Sequence, residues 1–291
     1  MVSRNFFFPL WQGSSPRNTL FGGATKLLDT LEEIAFTTVP VAEEEKLSVE
    51  NDIFGYESIL KHQEEMRRSL EDLKKEEKIL TLGGGCDADM LAITERNFRH
   101  KGDMALLWLD AHGDLNTPRT SPSKLFHGMP LRTALGEGDE ALLSLCFSRL
   151  RPEQILFAGV RDLDPPEEQF IRDNNIRRLN SESLSRNPES LRETLLSMGY
   201  GHVYIHLDLD VLEPGHIPGL LTPAPGGISP ETLENLLDLL DGAFPVTGFA
   251  LTEYVYQDSR DLELGARFLR RGYDMLKKMI FTVIKDKKGS H

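Results

Sequence analysis

The chain has 291 residues, of which 40% are hydrophobic and 27% are charged, so it can bury a sizeable core and has the composition of a soluble globular protein. Its formal net charge of -13 disfavours nucleic acid or an anionic membrane as the main partner, because phosphates would be repelled. The charge instead fits a cationic substrate or a set of metal-binding carboxylates. Two cysteines give no disulfide framework, and no apolar run approaches the roughly 20 residues of a membrane span, so we expect a cytoplasmic protein.

Strand-like and helix-like segments alternate along the chain. The opening NFFFPL predicts a first strand rather than a signal peptide, because Pro9 interrupts a short apolar stretch. Next come a helical GGATKLLDTLEEI, a charged helix over 55–78, the strand KILTL, a helix from Asp89 to Phe98 and the strand MALLWL. After a loop follow the helix PLRTALG, the strands QILFAGV and HVYIHLDL, the helix SPETLENLLDLL and the strand VTGFALTEY.

The order of these segments predicts the fold class. Short apolar runs between amphipathic helices are typical of a mostly parallel sheet that is covered by helices on both faces. No linker, repeat or change in composition divides the chain. We therefore predict an α/β fold with three α/β/α layers, formed by a single domain over residues 1–291.

Polar motifs follow four of the predicted strands. GGGCDAD follows KILTL, DAHGD follows MALLWL, DLD ends the strand HVYIHLDL, and TEY ends VTGFAL. In open parallel sheets, binding sites form at the edge where the carboxyl ends of the strands lie. The four motifs therefore predict one functional site at that edge.

Two of these motifs predict a metal site. Asp110, His112 and Asp114 alternate along the chain, which would point them to one side if strand geometry continues, and Asp208 and Asp210 repeat the arrangement. Four carboxylates directed at one place would repel one another unless cations lie between them. Oxygen-rich ligands with an imidazole suit manganese or another hard divalent ion. A lone Asp-x-Asp is more often a solvated turn, but two such motifs after two buried strands favour a metal centre.

The motif set, from GGATKLL to TEY, resembles the ureohydrolase family of arginases, agmatinases and their relatives. Family members carry Gly-Gly-x-His, Asp-x-His-x-Asp, a His-Gly pair, Ser-x-Asp-x-Asp-x-x-Asp-Pro, Gly-x-Thr-Pro and a late glutamate. The corresponding stretches of this chain are GGGCD, DAHGD, HGM, HLDLDVLEP, LLTPAPGG and TEY. The resemblance implies the arginase-like α/β/α fold, which agrees with the order of segments.

The resemblance implies a centre of two Mn²⁺ ions. The positions that match the family's ligands are Cys86, Asp110, His112, Asp114, Asp208 and Asp210. Asp110 and Asp208 would bridge the two ions, Cys86 and Asp114 would complete one of them, and His112 and Asp210 the other. Paired ions of this kind activate water, which is otherwise too poor a nucleophile for a resonance-stabilised guanidinium carbon.

The resemblance also assigns catalytic and guanidinium-binding roles. Glu253 would pair with the guanidinium group and Thr222 would help to position it. His127 would act as a proton shuttle, because the leaving amine must be protonated and imidazole titrates in the right range. The resemblance implies that Asp114 is a catalytic residue as well as a metal ligand. Without the family pattern, His127 would be read as a structural histidine at the start of a helix.

Two loops bear on the substrate. Asp164 and Glu167 in GVRDLDPPEEQF match the positions where arginases meet the substrate's α-amino group. Agmatinases lack this motif, and agmatine has no carboxyl substituent at its α-carbon. Asn116 and Ser123 in LNTPRTSPSKLFHG match the loop that contacts the carboxylate. Leu125 stands where that loop would carry an asparagine, which leaves room for a modified backbone, such as an arginine residue in a peptide.

Two departures from the family pattern concern the metal site and its flank. Cys86 takes the place of a metal-binding histidine, and sulfur matches manganese less well than imidazole does, so the ion on that side would be weakly held or replaced by a softer metal. The alternative is a small buried cysteine that binds nothing. Glu213 takes the place of the usual aspartate. Both departures resemble the Nω-hydroxy-arginine amidinohydrolase branch, and they favour specialised metabolism.

We therefore expect cleavage of the guanidinium of free L-arginine, or of an arginine residue in a peptide, to ornithine plus urea. The alternatives are an Nω-hydroxy-arginine amidinohydrolase, an agmatinase and a catalytically silent arginine-binding protein. Histone deacetylase-like amidohydrolases share the fold but use adjacent histidines, and none of the eight histidines here are adjacent. We expect no nucleic-acid or membrane partner, and the family's frequent trimers and hexamers leave a homo-oligomer open.

Overall fold

A computed structural model describes residues 3–278 of the chain. Its main element is an eight-stranded sheet in which every neighbouring pair of strands is parallel. In spatial order the strands are β2 (Thr37–Thr38), β1 (Ser3–Phe8), β5 (Lys78–Gly83), β10 (Val246–Thr252), β9 (Val203–Asp208), β6 (Ala105–Leu109), β7 (Ile155–Ala158) and β8 (Arg177–Leu179). A separate antiparallel pair is formed by β3 (Val49–Glu50) and β4 (Ile53–Phe54).

Helices connect the strands and flank the sheet. They are α1 (Thr19–Asp29), α2 (Tyr56–Leu70), α3 (Met90–Arg99), α4 (Pro130–Ala134), α5 (Glu140–Leu145), α6 (Pro165–Asp173), α7 (Ser181–Arg186), α8 (Glu189–Met198), α9 (Pro230–Leu240) and α10 (Ser259–Lys277). Short 3₁₀ turns follow two of the central strands, at Cys86–Asp89 and at Leu209–Val211. The predicted α/β class is confirmed. The single domain over residues 1–291 includes residues 1–2 and 279–291, which lie outside the described residues, and it stays a prediction.

The core lies on both faces of the sheet. Alternate residues of β6 belong to two different hydrophobic clusters, with Leu107 and Leu109 on one face and Leu106 and Trp108 on the other. Because both faces are covered, each central strand has a continuous apolar run instead of an alternating pattern. This is why the strands could be recognised in the sequence.

The predicted elements differ from the structure in two ways. The helix predicted over 55–78 is shorter, because α2 ends at Leu70 and the charged residues after Leu73 have no apolar side chain to continue its buried stripe before β5 begins. The sequence pattern did not predict the helices α5, α6, α7, α8 and α10 or the strands β2, β3, β4 and β8. Among the described residues, no helix combines the length and apolarity needed to cross a bilayer.

The order of the strands brings the polar motifs together. The four strands that precede these motifs, β5, β10, β9 and β6, are consecutive neighbours at the centre of the sheet. Because they are parallel, their carboxyl ends lie side by side at one edge. The predicted convergence of the motifs at this edge is therefore a property of the fold.

Two adjacent glycines of α1 differ in what surrounds them. A β-carbon on Gly23 would lie 2.0 Å from the main-chain oxygen of Tyr254, the residue after Glu253, whereas a β-carbon on Gly22 would meet no atom within 4 Å. Gly23 therefore allows α1 to pack directly on the main chain beside the site.

We expect opposite effects on stability from the same substitution at these two positions. Gly22→Ala should raise the free energy of unfolding by about 0.5–1 kcal/mol, because alanine loses less backbone entropy in a helix. Gly23→Ala should lower it by about 1–3 kcal/mol, because the added methyl group overpacks the contact with Tyr254. Denaturant unfolding of both variants measures the difference, and two variants of equal stability would contradict this account of the contact.

Candidate active site

The site is built at the ends of the four central strands. Cys86 opens the 3₁₀ turn after β5, and Asp110 directly follows β6. Asp208 is the last residue of β9, and Glu253 directly follows β10. All four side chains are buried. Strand pairing thus fixes the positions of residues that are far apart in the sequence.

One group of possible metal ligands contains Asp110, His112 and Asp210. Their ligand atoms all lie within 4.8 Å of one another. His112 Nδ1 is 2.9 Å from Asp210 Oδ2 and 3.5 Å from Asp110 Oδ1. Main-chain amides hold both carboxylates, since the amide of His112 donates to Asp110 Oδ1 at 2.6 Å and that of Ala111 donates to Asp210 Oδ1 at 3.0 Å.

A second group lies around Cys86. Its Sγ atom is 3.0 Å from Asp208 Oδ2, 3.8 Å from Asp110 Oδ2 and 3.3 Å from His206 Nε2. Cys86, Asp110 and His206 have ligand atoms within 4.8 Å of one another, as do Cys86, Asp208 and Glu253. Asp110 belongs both to the first group and to a group around Cys86. The described residues therefore offer two adjacent positions for cations that share a carboxylate.

Asp114 has a different environment from the other predicted ligands. It belongs to none of the ligand groups found among residues 3–278, although it lines the same cavity as Cys86 and Asp208. Its Oδ2 atom is buried and has no hydrogen-bond partner among these residues. An acceptor that is buried without a donor costs free energy, and a cation in the cavity would satisfy it. The backbone of Asp114 is left-handed, with a φ of 49°.

The site concentrates buried acidic side chains. Burial, reinforced by neighbouring carboxylates, raises the pKa of Asp110 to about 6 and raises the pKa values of Asp114 and Asp208 well above their ordinary range. Burial and the same carboxylates raise the pKa of the Cys86 thiol. Burial opposes protonation of His112, but Asp110 and Asp210 raise its pKa. Within the described residues these acids form no ion pair with lysine or arginine. The donor set therefore fits divalent cations.

His127 and Glu253 form a pair beside these groups. His127 Nδ1 is 3.0 Å from Glu253 Oε1, which also accepts a hydrogen bond of 3.0 Å from the amide of Cys86. Burial opposes the charged imidazole, but the carboxylate of Glu253 raises the pKa of His127. Glu253 Oε2 is buried and lacks a hydrogen-bond partner among residues 3–278. Glu253 has a φ of 61°, and its amide donates to the oxygen of Gly84 at 2.7 Å, which holds this unusual backbone in place.

Glu253 is not among the residues that line a cavity of about 250 Å³, but the other five residues predicted to bind substrate line it. They are Asn116, Ser123, Asp164, Glu167 and Thr222, and they lie there with Cys86, His112, Asp114, His127 and Asp208. Five acidic side chains line this cavity and no lysine or arginine does, within the part of the chain that the structure describes. Leu125 is not among its lining residues.

The hydrogen bonds of these residues indicate that they have different structural roles. Asn116 Nδ2 donates to Asp164 Oδ2 at 2.8 Å, so the two recognition loops are joined. Both oxygens of Glu167 accept main-chain hydrogen bonds, from Leu115 at 2.9 Å and from Asp164 at 2.8 Å. Glu167 therefore holds the loops and caps the N-terminal end of α6. The Thr222 hydroxyl donates to Asp210 at 3.2 Å.

The sequence did not predict three buried polar residues that lie beside the ligands, which are Asp87, Asp89 and His206. Neither carboxylate oxygen of Asp87 has a hydrogen-bond partner among the described residues, and burial raises the pKa of Asp87 to about 7. Asp89 contacts the ring of His206. His206 had a detectable signal, because it precedes Asp208 by two residues in a strand and so faces the same side.

Comparison with known proteins agrees with this geometry. The family described as "Arginase: Arginase family" matches residues 20–270. The chain belongs to the arginase family. An arginase of Staphylococcus aureus (strain MRSA252) is 32% identical over 211 residues, which are 71% of this chain and 70% of that protein. An arginase of Bacillus subtilis (strain 168) is 30% identical over 237 residues, which are 78% of this chain and 80% of that protein.

The fold is shared with arginases of known structure. The crystal structure of Entamoeba histolytica arginase in complex with L-ornithine has a TM-score of 0.80 at 23% identity and covers 96% of this chain and 100% of that chain. Membership in the arginase family, together with the ligand groups, supports a metal-binding hydrolase that acts on amidines. The predicted family and fold are confirmed.

For this arginase-family chain we expect metal to stabilise the fold more at pH 7.5 than at pH 5. Without a cation, the raised pKa of Asp110 means that the folded state holds its proton up to about pH 6, whereas the unfolded chain releases it near pH 4. This proton stabilises the folded state fully below pH 4, and the stabilisation is lost as the pH rises through 6. Cations replace protons in such a site.

The measurement is the melting temperature of chelator-treated protein with and without Mn²⁺ at both pH values. At 100 times the dissociation constant, the gain at pH 7.5 should be about 5–10 °C. Asp110→Asn should lose most of it. The control Asp241→Asn changes a nearly buried carboxylate that pairs with Lys278, and it should keep the gain. An equal gain at both pH values would contradict the expectation.

Proposed function

We propose that the chain hydrolyses the guanidinium group of an arginine-type substrate to an ornithine-type amine and urea. The observation that carries the proposal is the position of Glu253 and His127 beside two ligand groups. They lie next to a cavity that five acidic side chains line and that, among the described residues, no lysine or arginine lines. A guanidinium cation suits such a cavity, because its charge offsets that of the carboxylates. The relatives named above as arginases support the same reaction.

Glu253 is placed to hold the guanidinium group. Its Oε2 atom has no hydrogen-bond partner among the described residues and can accept a charge-assisted hydrogen bond from a guanidinium N–H. Its Oε1 atom is held by His127 and by the amide of Cys86, so the carboxylate cannot rotate freely. The group would therefore be presented in one orientation toward the ligand groups.

Two divalent ions, which we propose to be manganese at least in part, would supply activated water at the guanidinium carbon. Cys86, Asp110, His112, Asp114, Asp208 and Asp210 would hold them. His127 lines the cavity and is protonated more readily because of Glu253, so it can give a proton to the leaving amine. A carbon–oxygen bond forms and the bond between carbon and the substrate nitrogen breaks, so that guanidinium and water give an ammonium group and neutral urea.

The outer part of the cavity would contact the rest of the substrate and select it. Asp164 offers a carboxylate suited to an α-amino group or an amide N–H, and Asn116 and Ser123 offer polar groups nearby. Because no arginine or lysine lines the cavity, a free α-carboxylate would meet no cation among the described residues. We propose free L-arginine or an arginine residue in a peptide as substrate. We propose agmatine as a poor one, because it has no carboxyl oxygen for Asn116 and Ser123 to contact.

The Nω-hydroxy form of arginine is a second candidate, favoured by the position of Cys86 within the ligand groups. Glu213, the other departure from the family pattern, has a structural task. Its Oε2 atom accepts hydrogen bonds from the amides of Gly226 and Gly227 at 2.7 and 2.9 Å and so holds the loop that follows Thr222. Glu213 therefore adds no argument for that substrate.

The first functional experiment is a urea-release screen with manganese present. The substrates are free arginine, Nω-hydroxy-arginine, agmatine and a peptide that contains arginine. We expect urea from at least one of the three substrates that keep the carboxyl carbon, which agmatine lacks. Agmatine turning over faster than all of them would make the chain an agmatinase, and no urea from any substrate would favour the arginine-binding protein.

Asp164→Ala tests recognition of the α-nitrogen in the same assay. The variant should reduce kcat/KM for free arginine about 10- to 100-fold, since a hydrogen bond to a charged group is worth about 1.5–3 kcal/mol. It should change kcat/KM far less for 5-guanidinopentanoate, which is arginine without its α-amino group. Asp162→Ala removes the same charge from the same cavity and should affect both substrates alike. Equal losses for both substrates with Asp164→Ala would show that only the total charge matters.

Glu253→Gln tests the guanidinium contact and the proton donor together. We expect kcat/KM to fall at least about 10- to 100-fold, because a charge-assisted hydrogen bond is lost. The pKa of His127 should also fall without the carboxylate, and since His127 must be protonated to act, the alkaline limb of the pH profile should move to lower pH. Glu45→Gln is the matched control, because Glu45 pairs with the buried His62. An unmoved alkaline limb would remove His127 from the role of donor.

A further inference from the structure

His206 is a buried imidazole whose position in β9 directs it into the site. Its side chain has 0% exposure, and it precedes Asp208 by two residues, so both side chains lie on the same face of the strand. Its Nε2 atom is 3.3 Å from Cys86 Sγ. Cys86 is buried beside it with 2% exposure. The ring thus meets the sulfur atom within the second ligand group.

The ring is held in one orientation by Asp89 and Trp108, and Tyr204 in turn holds Asp89. Its Nδ1 atom is 3.0 Å from Asp89 Oδ2, and the Tyr204 hydroxyl donates to Asp89 Oδ1 at 2.5 Å. The indole of Trp108 stacks on the ring with centroids 3.6 Å apart and planes at 8°. Because the carboxylate of Asp89 accepts the Nδ1 hydrogen, the lone pair of Nε2 faces Cys86. Histidine ligands of metals are commonly oriented by a carboxylate in this way.

We propose that His206 Nε2 and Cys86 Sγ are ligands of the same ion, together with Asp110 and Asp208. This inference rests on the metal centre of the proposed function and adds a residue that the sequence resemblance did not supply. Nitrogen and sulfur ligands favour zinc, cobalt or iron over manganese, whereas Asp110, His112 and Asp210 form a harder site. The centre would then hold two different metals.

The same three side chains could instead form a nucleophilic cysteine with its base, since Cys86, His206 and Asp89 have the required order of contacts. The surroundings of the sulfur atom favour the ligand. Carboxylate oxygens of Asp208 and Asp110 lie 3.0 and 3.8 Å from Sγ, and a thiolate there would be repelled by both. A cation among the sulfur, nitrogen and oxygen atoms interacts favourably with all of them.

The test measures metal binding, not activity. Metal-stripped parent and His206→Ser are dialysed against Zn²⁺ and Mn²⁺ together, and bound metal is counted by mass spectrometry. We expect the parent to hold one ion of each kind. His206→Ser should lose the zinc ion, with its dissociation constant raised about 100-fold or more, because even an outer contact of a ligand is worth 10- to 100-fold.

Two further variants separate a ligand from a merely structural histidine. His100→Ser removes another buried imidazole, which contacts Thr247 at 2.7 Å outside the site, and it should keep both ions. Asp89→Asn keeps the ring of His206 but weakens its orientation, and it should raise the zinc dissociation constant about 10- to 100-fold. Asp89→Asn provides the reading if His206→Ser fails to fold.

Exchange of the two residues tests the shared ion directly. The double variant Cys86→His with His206→Ser should again bind two ions, and its second site should prefer manganese, because the sulfur ligand is gone. In the parent loaded with Co²⁺, a near-ultraviolet thiolate-to-cobalt band should be present, and it should shift or vanish in His206→Ser. The band reports the ion beside Cys86 whether or not urea is formed.

Two results would overturn the inference. One is zinc and manganese binding in His206→Ser that equals that of the parent. The other is a covalent amidine adduct on Cys86 with metal content indifferent to His206, which would make the cysteine a nucleophile. Urea release by the parent is scored separately, so failure of the proposed reaction leaves the metal result intact, and failure of the metal result leaves the reaction standing.

Discussion

The structure depends on one electrostatic constraint, which is the burial of several carboxylates at a single edge of the sheet. Taking an unpaired charge out of water costs several kcal/mol, and here lysine and arginine make no ion pair with these acids within residues 3–278. The amides of Ala111, His112 and Asp210 offset part of the cost by donating to carboxylate oxygens. The rest is offset by protons or by cations. This arrangement lowers the free energy of unfolding when no cation is bound. The large apolar core on both faces of the sheet offsets that loss.

The second requirement is backbone geometry, and it follows from the first. Asp114 and Glu253 both have left-handed backbones, which a non-glycine residue adopts only where its surroundings determine it. At Glu253 the surroundings are the hydrogen bond to Gly84 and the neighbouring Tyr254, on which α1 packs through Gly23. A helix distant in sequence thus supports the carboxylate that would receive the guanidinium group. The packing of α1 therefore helps to fix the orientation of Glu253.

The parts of the fold that the sequence predicts are those where one physical effect dominates. The central strands are buried on both faces, so their apolar runs were plain, and the polar motifs after them pointed to the correct edge. The helices α7 and α8 are short and largely exposed, so their apolar pattern is weak. The helix α10 has a regular apolar stripe, which is typical of a helix, although it was not among the predicted elements. His206 was missed for another reason. Inside HVYIHLDL it counts as one more strand residue, and only the pairing of β9 with its neighbours shows that Cys86 lies opposite its ring.

Chemistry and specificity occupy different parts of the structure. The groups that would act on the guanidinium carbon follow β5, β6, β9 and β10, where strand pairing fixes them, and this is why the sequence identifies the reaction class. The groups that would read the rest of the substrate lie on loops, with Ser123 exposed and Asp164 held through Asn116. A loop residue can change without moving a metal ligand, so substitutions in these loops can alter the choice of substrate at little structural cost. The residues at the strand ends therefore constrain the bond that is broken, while the identity of the molecule that carries it is decided by side chains that the fold leaves free to vary.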